Sequence, residues 1–243
     1  MSERPRPAFY AAGHGGAVGD WVTLLHLPYT AWHLSYVVVG ACLAPRVDWV
    51  VLGWSLAAFA LALGIGAHAL DELHGRPLAT GIPASLLVAV AVASVAGAVA
   101  IGIVVSASTS WWLLVPIALG AVLVPAYNLE LGGGIVHTDL GFALAWGAFP
   151  VLTAYLAQTG AVTIGASLAA LCAVTLSLAQ RRLSSWARLL RRDVVSIDGE
   201  ASLSDGTVAP LTRDGLLRTP EAVLRLLTAT TVLAALTAVA LRA

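Results

Sequence analysis

Residues 49–83 read WVVLGWSLAAFALALGIGAHALDELHGRPLATGIP. The first 19 positions carry no ionisable group, and the next nine (68–76) hold two histidines, two carboxylates and an arginine. A bilayer core of about 30 Å takes roughly 20 apolar residues in a helix, so this stretch predicts a membrane span ending in a polar cluster. The rest of the chain follows the same pattern. Of 243 residues, 59% are hydrophobic and 11% charged. Mean hydropathy is +0.88. These values exclude an ordinary soluble domain, about a quarter of which is charged.

Seven stretches are long and apolar enough to span, at about 21–44, 49–70, 84–106, 111–127, 139–158, 160–182 and 221–242. The fold expected is an all-α polytopic bundle of about seven transmembrane helices. Its parts are a tail (1–20), a six-helix bundle (21–182), a connector (183–220) and a last span (221–243). Pro28, Pro116, Pro125 and Pro150 fall inside spans, where kinks are expected. Runs such as VAVAVASVAGAVAIG (88–102) are small enough for close helix approach.

All 13 basic residues are arginine and are balanced by 13 acids. No net charge points to a nucleic-acid partner. With the N-terminus inside, ten arginines fall on the cytoplasmic side and only Arg46 and Arg242 on the other, while Arg225 snorkels back to the cytoplasmic face. The expectation is an integral protein of the plasma membrane with a cytoplasmic N-terminus. Cys42 and Cys172 lie in apolar stretches and do not make a disulfide framework. In the connector, RRLSSWARLLRRD (181–193) has the pattern of an interfacial amphipathic helix. Two Asp-Gly pairs follow it, at 198–199 and 205–206, and predict a small hairpin. This segment is either a membrane-hugging connector or a lid.

Ionisable groups within spans are rare and costly, which makes each one a functional candidate. His26 and His33 lie on one stripe of the first helix. His68, Asp71 and Glu72 share a face at the end of the second, followed by His74 and Arg76. Tyr127, Asn128 and Glu130 close the fourth, and His137 and Asp139 open the fifth. Asp139 doubles as a candidate helix cap. The spacings His68–Asp71, His68–Glu72 and Asp71–His74 suit a shared transition metal (Fe, Zn or Mn). The carboxylates Asp71, Glu72, Glu130 and Asp139 could instead serve Mg²⁺. The metal set is then His68, Asp71, Glu72, His74, Glu130 and His137. Asp71, Glu72, His33 and Asp139 are the catalytic candidates, and Arg76, Asn128, Tyr127 and His26 the substrate-binding ones.

The order of these features resembles the UbiA-type prenyltransferase superfamily. The likeness rests on WVTLLHLPYTAWHLSYVVVGACLA (21–44), GIGAHALDELHGRPLATGIP (64–83) and LLVPIALGAVLVPAYNLELGGGIVHTDLGFALAWGAFPVLTAYLAQTG (113–160), and covers about residues 20–182. It implies an apolar tunnel, an isoprenyl diphosphate and Mg²⁺. Carried over by position, Asp71 matches the last acid of the first Asp-rich motif and Arg76 the arginine of Arg-Pro-Leu, with His68 near the Asn-Asp position. The departures are specific. Asn-Asp-x-x-Asp is missing, the loop before Arg76 is short, Leu129, Glu130 and Leu131 replace basic residues, and the sixth helix ends in LAQRR (178–182) with no aspartate pair. Seven spans stand where the family commonly has nine.

A diphosphate entering a cavity lined by Glu72, Glu130 and Asp139 would be repelled without several metal ions. The resemblance therefore implies a divergent member: an intramembrane enzyme acting on an isoprenoid or other lipid-like substrate through a metal-dependent His/carboxylate site, with a cavity open to the cytoplasmic side. Two other readings stand beside it, a transition-metal membrane enzyme with oxidative or hydrolytic chemistry, and a non-enzymatic lipid-binding or assembly protein. Membrane lipids are the partners that all three share.

Overall fold

A computed structural model describes residues 7–11 and 16–243. Of the tail expected over 1–20, residues 1–6, with Arg4 and Arg6, and 12–15 lie outside the described residues. Of the described residues 76% are helical. The elements are α1 (Gly16–Leu24), α2 (Leu27–Cys42), α3 (Trp49–Leu73), α4 (Ala84–Ser108), α5 (Trp111–Asn128), α6 (Asp139–Thr159), α7 (Ile164–Asp193), β1 (Glu200–Ser202), β2 (Val208–Pro210) and α8 (Arg213–Ala240). Among the described residues six helices, α3 to α8, are long and apolar enough to cross a membrane. Hydrocarbon offers the backbone no hydrogen bonds, so these apolar runs satisfy themselves as helices.

Their starts are written locally. Asp48 caps α3, accepting from Val50 N at 2.9 Å and Val51 N at 3.1 Å. Thr138, Thr163 and Thr212 cap α6, α7 and α8 through their hydroxyls. The cap of α6 is thus Thr138, which leaves the Asp139 side chain free for another partner.

α2 is the central helix, packed against α6 and α8; α7 closes the far side against both, while α3, α4 and α5 form a second group. Two glycines set the closest approaches. A Cβ on Gly40 of α2 would overlap the Val151 carbonyl of α6, and one on Gly147 would lie 2.8 Å from the Ala173 carbonyl of α7. Outward faces carry Val92, Val104, Leu119, Ile164 and Leu233, all more than half exposed, as suits helices facing lipid. Trp49, Trp54, Trp111 and Trp112 are exposed around one end, where interfacial aromatics sit. The other end, here the polar end, holds the turns 74–83 and 129–138, the hairpin and residues 7–11.

Three elements depart from the sequence expectation. The segment 21–44 is two helices of 9 and 16 residues, broken at His26 in the left-handed region (φ 44°). Pro28 begins the second of them, where its missing N–H costs nothing, and Thr30 Oγ1 takes the freed Leu25 carbonyl at 2.6 Å. The arginine-rich stretch 183–193 is not a separate helix: no Gly or Pro interrupts the chain there, and α7 runs on through Asp193. α8 starts at Arg213 rather than 221. Its added turns bury Leu217 against Ala187 and Leu190, and Glu221 accepts from Arg191 Nε at 2.5 Å and Nη2 at 3.0 Å. The strands β1 and β2 pair antiparallel, Ala201 opposite Ala209.

Candidate functional site

The stretch 68–83 folds around Glu72. Its side chain is fully buried, and its carboxylate accepts from Leu78 N at 2.9 Å, Thr80 N at 2.8 Å and Thr80 Oγ1 at 2.9 Å. Arg76, at φ 54°, donates from Nη1 to the Ile82 carbonyl at 2.6 Å. Asp20 on α1 accepts from Gly81 N at 2.8 Å. Glu72 is therefore committed to shaping the turn, and Arg76 fastens the same turn through Nη1. Glu72 is the α3 carboxylate that points into the turn; Asp71, half-buried, is the one left for chemistry.

Above Asp71 the histidines collect. His26, set into the α1–α2 break, stacks on His68 with ring centroids 4.2 Å apart. Tyr10 Oη and His26 Nδ1 share a hydrogen bond at 3.1 Å. Burial, then the neighbouring Tyr29, pushes the Tyr10 hydroxyl well above the usual phenol value, so it stays neutral. His68 Nδ1 donates to the Gly64 carbonyl at 3.1 Å, and His33 Nδ1 to the Trp146 carbonyl at 2.8 Å. Both carbonyls belong to wide, π-helical turns, Ala60–Ala67 in α3 and Leu144–Ala148 in α6. Such turns often mark functional positions. The bonds assign the tautomer: the proton is on Nδ1, and Nε2 keeps its lone pair in the neutral ring.

The α5–α6 turn brings the second half. Tyr127 is buried, its ring stacked on His137 at 4.5 Å and tilted on Trp146 at 5.0 Å. His137 Nδ1 donates to the Tyr127 carbonyl at 3.0 Å, and Arg181 Nη2 lies 3.3 Å from His137 Nε2. Arg181 Nε also donates to Asp139 Oδ1 at 3.2 Å, which ties Asp139 to α7. Asn128 is buried and spends its amide on the Val124 carbonyl at 2.7 Å. Glu130 sits at φ 50° with Oε1 3.9 Å from His74 Nε2 and 3.8 Å from His137 Nδ1, beyond ligand and hydrogen-bond reach.

Among the described residues no three His, Cys, Asp or Glu side chains come together as a metal site. The expected set divides into a His68–Asp71 end and a His137–Glu130 end, with Glu72 withdrawn into its turn. These donors do not fit an ion held by the protein, and no chemical step is routed through one.

Helix α7 contributes what the sequence reading left out. Arg181, Arg188 and Arg192 recur at seven- and four-residue spacings, one stripe of a continuous helix. A helix expected to stop at 182 hides that stripe. The charges acting on Asp71 from outside its own turn are first those of Arg188 and Arg192, then His137. Four buried side-chain atoms, His26 Nε2, Tyr127 Oη, Gln180 Oε1 and Arg213 Nε, have no hydrogen-bond partner among the described residues. Buried polar groups are nearly always satisfied, and the first two lie among the histidines described above.

An apolar cavity of about 100 Å³ lies away from the polar end, where the rings of Tyr127, Phe142, Trp146 and His137 pack together. It lies between α3, α4, α5 and α6, lined by Phe59, Leu63, Val99, Gly120, Trp146 and Phe149 among other apolar groups. Trp146 is the shared wall, with the cavity on one side and Tyr127 on the other. No protein-family model, curated protein or solved structure matches the chain.

Proposed function

We propose that the protein is a divergent UbiA-like intramembrane enzyme acting on an isoprenoid or other lipid-like substrate. The observation that carries this reading is an apolar cavity walled by Trp146, whose ring also meets Tyr127, together with a polar cluster of His26, His68 and Asp71 at one end of the same helices, which we read as a head-group chamber. Ligand sites combine apolar walls with a few convergent polar groups, and this molecule has both. The hydrocarbon chain occupies the cavity and the head reaches past Trp146. In this reading the α1–α2 pair counts as a seventh span, the N-terminus is cytoplasmic in the plasma membrane, and the polar chamber faces the cytoplasm.

In the chamber, His68 Nε2 takes a proton and Asp71 gives one up, roles open to a neutral imidazole and a half-buried carboxyl side by side. Tyr127 Oη and His26 Nε2 hold the head group. His33, bonded to Trp146, positions the wall rather than touching substrate.

The test is turnover. Wild type and Asp71→Asn are incubated with a total lipid extract of the membranes that contain the protein, and the lipids are compared by liquid chromatography and mass spectrometry. At least one lipid-soluble species is consumed by the wild type and not by the variant. Identical profiles with lipid still bound would make the protein a lipid-binding scaffold instead.

A further inference from the structure

Residues 7–11 fold back onto the polar end. Ala8 and Ala11 are 7% and 3% exposed, joined by a turn from Ala11 N to the Ala8 carbonyl at 3.1 Å. Phe9 stands edge-on to Tyr29 with centroids 6.3 Å apart, and the Arg225 guanidinium lies over its ring at 5.0 Å. Tyr10 reaches inward to Tyr29 and to His26. The Pro7 carbonyl accepts from Arg192 Nε at 3.2 Å. Beneath this segment is a space of about 20 Å³ bordered by Tyr10, Tyr29, Ser184, Arg188 and Glu221. That is room for a water and for nothing larger.

The partners under the segment do not match in charge. Arg188 donates to the hydroxyls of Ser184 at 3.2 Å and Ser185 at 2.9 Å. Arg192 is held by a backbone carbonyl. Neither has a carboxylate within 4.0 Å among the described residues, and Glu221, the nearest acid on α8, is taken by Arg191 with Arg225 at 4.0 Å. Two guanidinium groups beside this space thus hydrogen-bond to neutral oxygens only, and the Asp71 carboxylate acts on them from beyond 4.0 Å. Hydrogen bonds between ionised partners are roughly twice as strong as those to neutral ones, and Arg binds phosphate or carboxylate bidentately. The left-handed His26 adds a local cost at the same spot, one that a non-glycine residue keeps only where its surroundings impose it.

We propose that residues 7–11 are an intrachain plug for the polar chamber, displaced when the oxyanion of a ligand takes their place on Arg188 and Arg192. The oxyanion is a phosphate or carboxylate, carried on the head of an amphiphile or free in solution. The proposal rests on the reading of the polar end as a head-group chamber, and it concerns entry, not chemistry.

The reporter is a thiol on the plug. Ala8→Cys is made in a chain with Cys42 and Cys172 changed to alanine, and its reaction with a water-soluble maleimide is timed in dodecyl maltoside. Ser204→Cys, exposed on the hairpin, gives the free rate in the same background, and Ala11→Cys is a second reporter should Ala8→Cys fold poorly. With no anion added, the Ala8→Cys chain reacts at least tenfold slower than the Ser204→Cys chain. Adding dodecyl phosphate raises the rate of the plug reporter at least fivefold, and Arg188→Gln with Arg192→Gln removes that rise. A rise with dodecyl phosphate alone identifies an amphiphile head group as the ligand, and an equal rise with inorganic phosphate identifies a soluble anion. Equal rates for the plug and hairpin reporters overturn the plug. So does a slow rate that no anion changes, or a rise that survives loss of both arginines. Because this readout needs no turnover, it can fail while the lipid is consumed, or succeed while it is not.

Discussion

The two turns at the polar end have nearly the same composition and opposite construction. In 68–83 and in 127–139 a helix ends, a glycine follows, and histidines and carboxylates crowd a few positions. In the first, Glu72 is wholly buried and bonded to two amides and a hydroxyl, with Arg76 and Asp20 fastening the rest. In the second, Glu130 is half-exposed, Gly132, Gly133 and Gly134 all take positive φ, and neither histidine is in hydrogen-bond reach of the carboxylate. An acid beside a histidine at a membrane-helix end is therefore not one kind of feature. The difference lies in where the amides of the following residues point.

Substitutions can break this contrast. Glu72→Ala has the largest expected effect: it leaves the buried Leu78 amide and the half-buried Thr80 amide and hydroxyl without an acceptor, at about 3 kcal/mol. The melting temperature in detergent should fall by roughly 6–12 °C. Hydrogen exchange at Leu78 and Thr80, slow in the wild type, should become fast in the same variant. If the melting point holds, the turn is not built on Glu72. Asp20→Ala removes only the bond from Gly81, a loss of about 1 kcal/mol. Glu130→Gly is expected to have the opposite sign, since glycine relieves a left-handed non-glycine residue worth about 1 kcal/mol and no hydrogen bond of the side chain is lost. A melting point unchanged or higher by roughly 2–4 °C sharpens the contrast; a large drop would make the second turn as specified as the first.

The spans and the hairpin are legible in the sequence because their causes are local. Unbroken apolar runs, Asp and Thr caps, and two Asp-Gly pairs act within a few residues. The break in the first helix is half legible: Pro28 signals a new helix start, but that His26 takes the left-handed position depends on Tyr10 and His68 around it. The site is less so. Glu72 looks like a ligand because its partners are amides six and eight residues on, and no spacing reveals the path of a turn. Arg76 likewise has a partner six residues on, the Ile82 carbonyl. Arg188 and Arg192 escape a sequence reading because what they border, the folded-back residues 7–11 and Tyr29, is brought to them only by the tertiary fold.

The central claim is that one ligand spans the apolar cavity and the polar chamber. Native mass spectrometry of folded, monodisperse wild type, Asp71→Asn and Gly120→Leu tests it directly, because a side chain at Gly120 grows toward Phe149 and fills the cavity. The expected result is about one bound lipid per chain in the wild type and in Asp71→Asn, and none in Gly120→Leu. A lipid-free wild type, or Gly120→Leu retaining the same lipid, would contradict it.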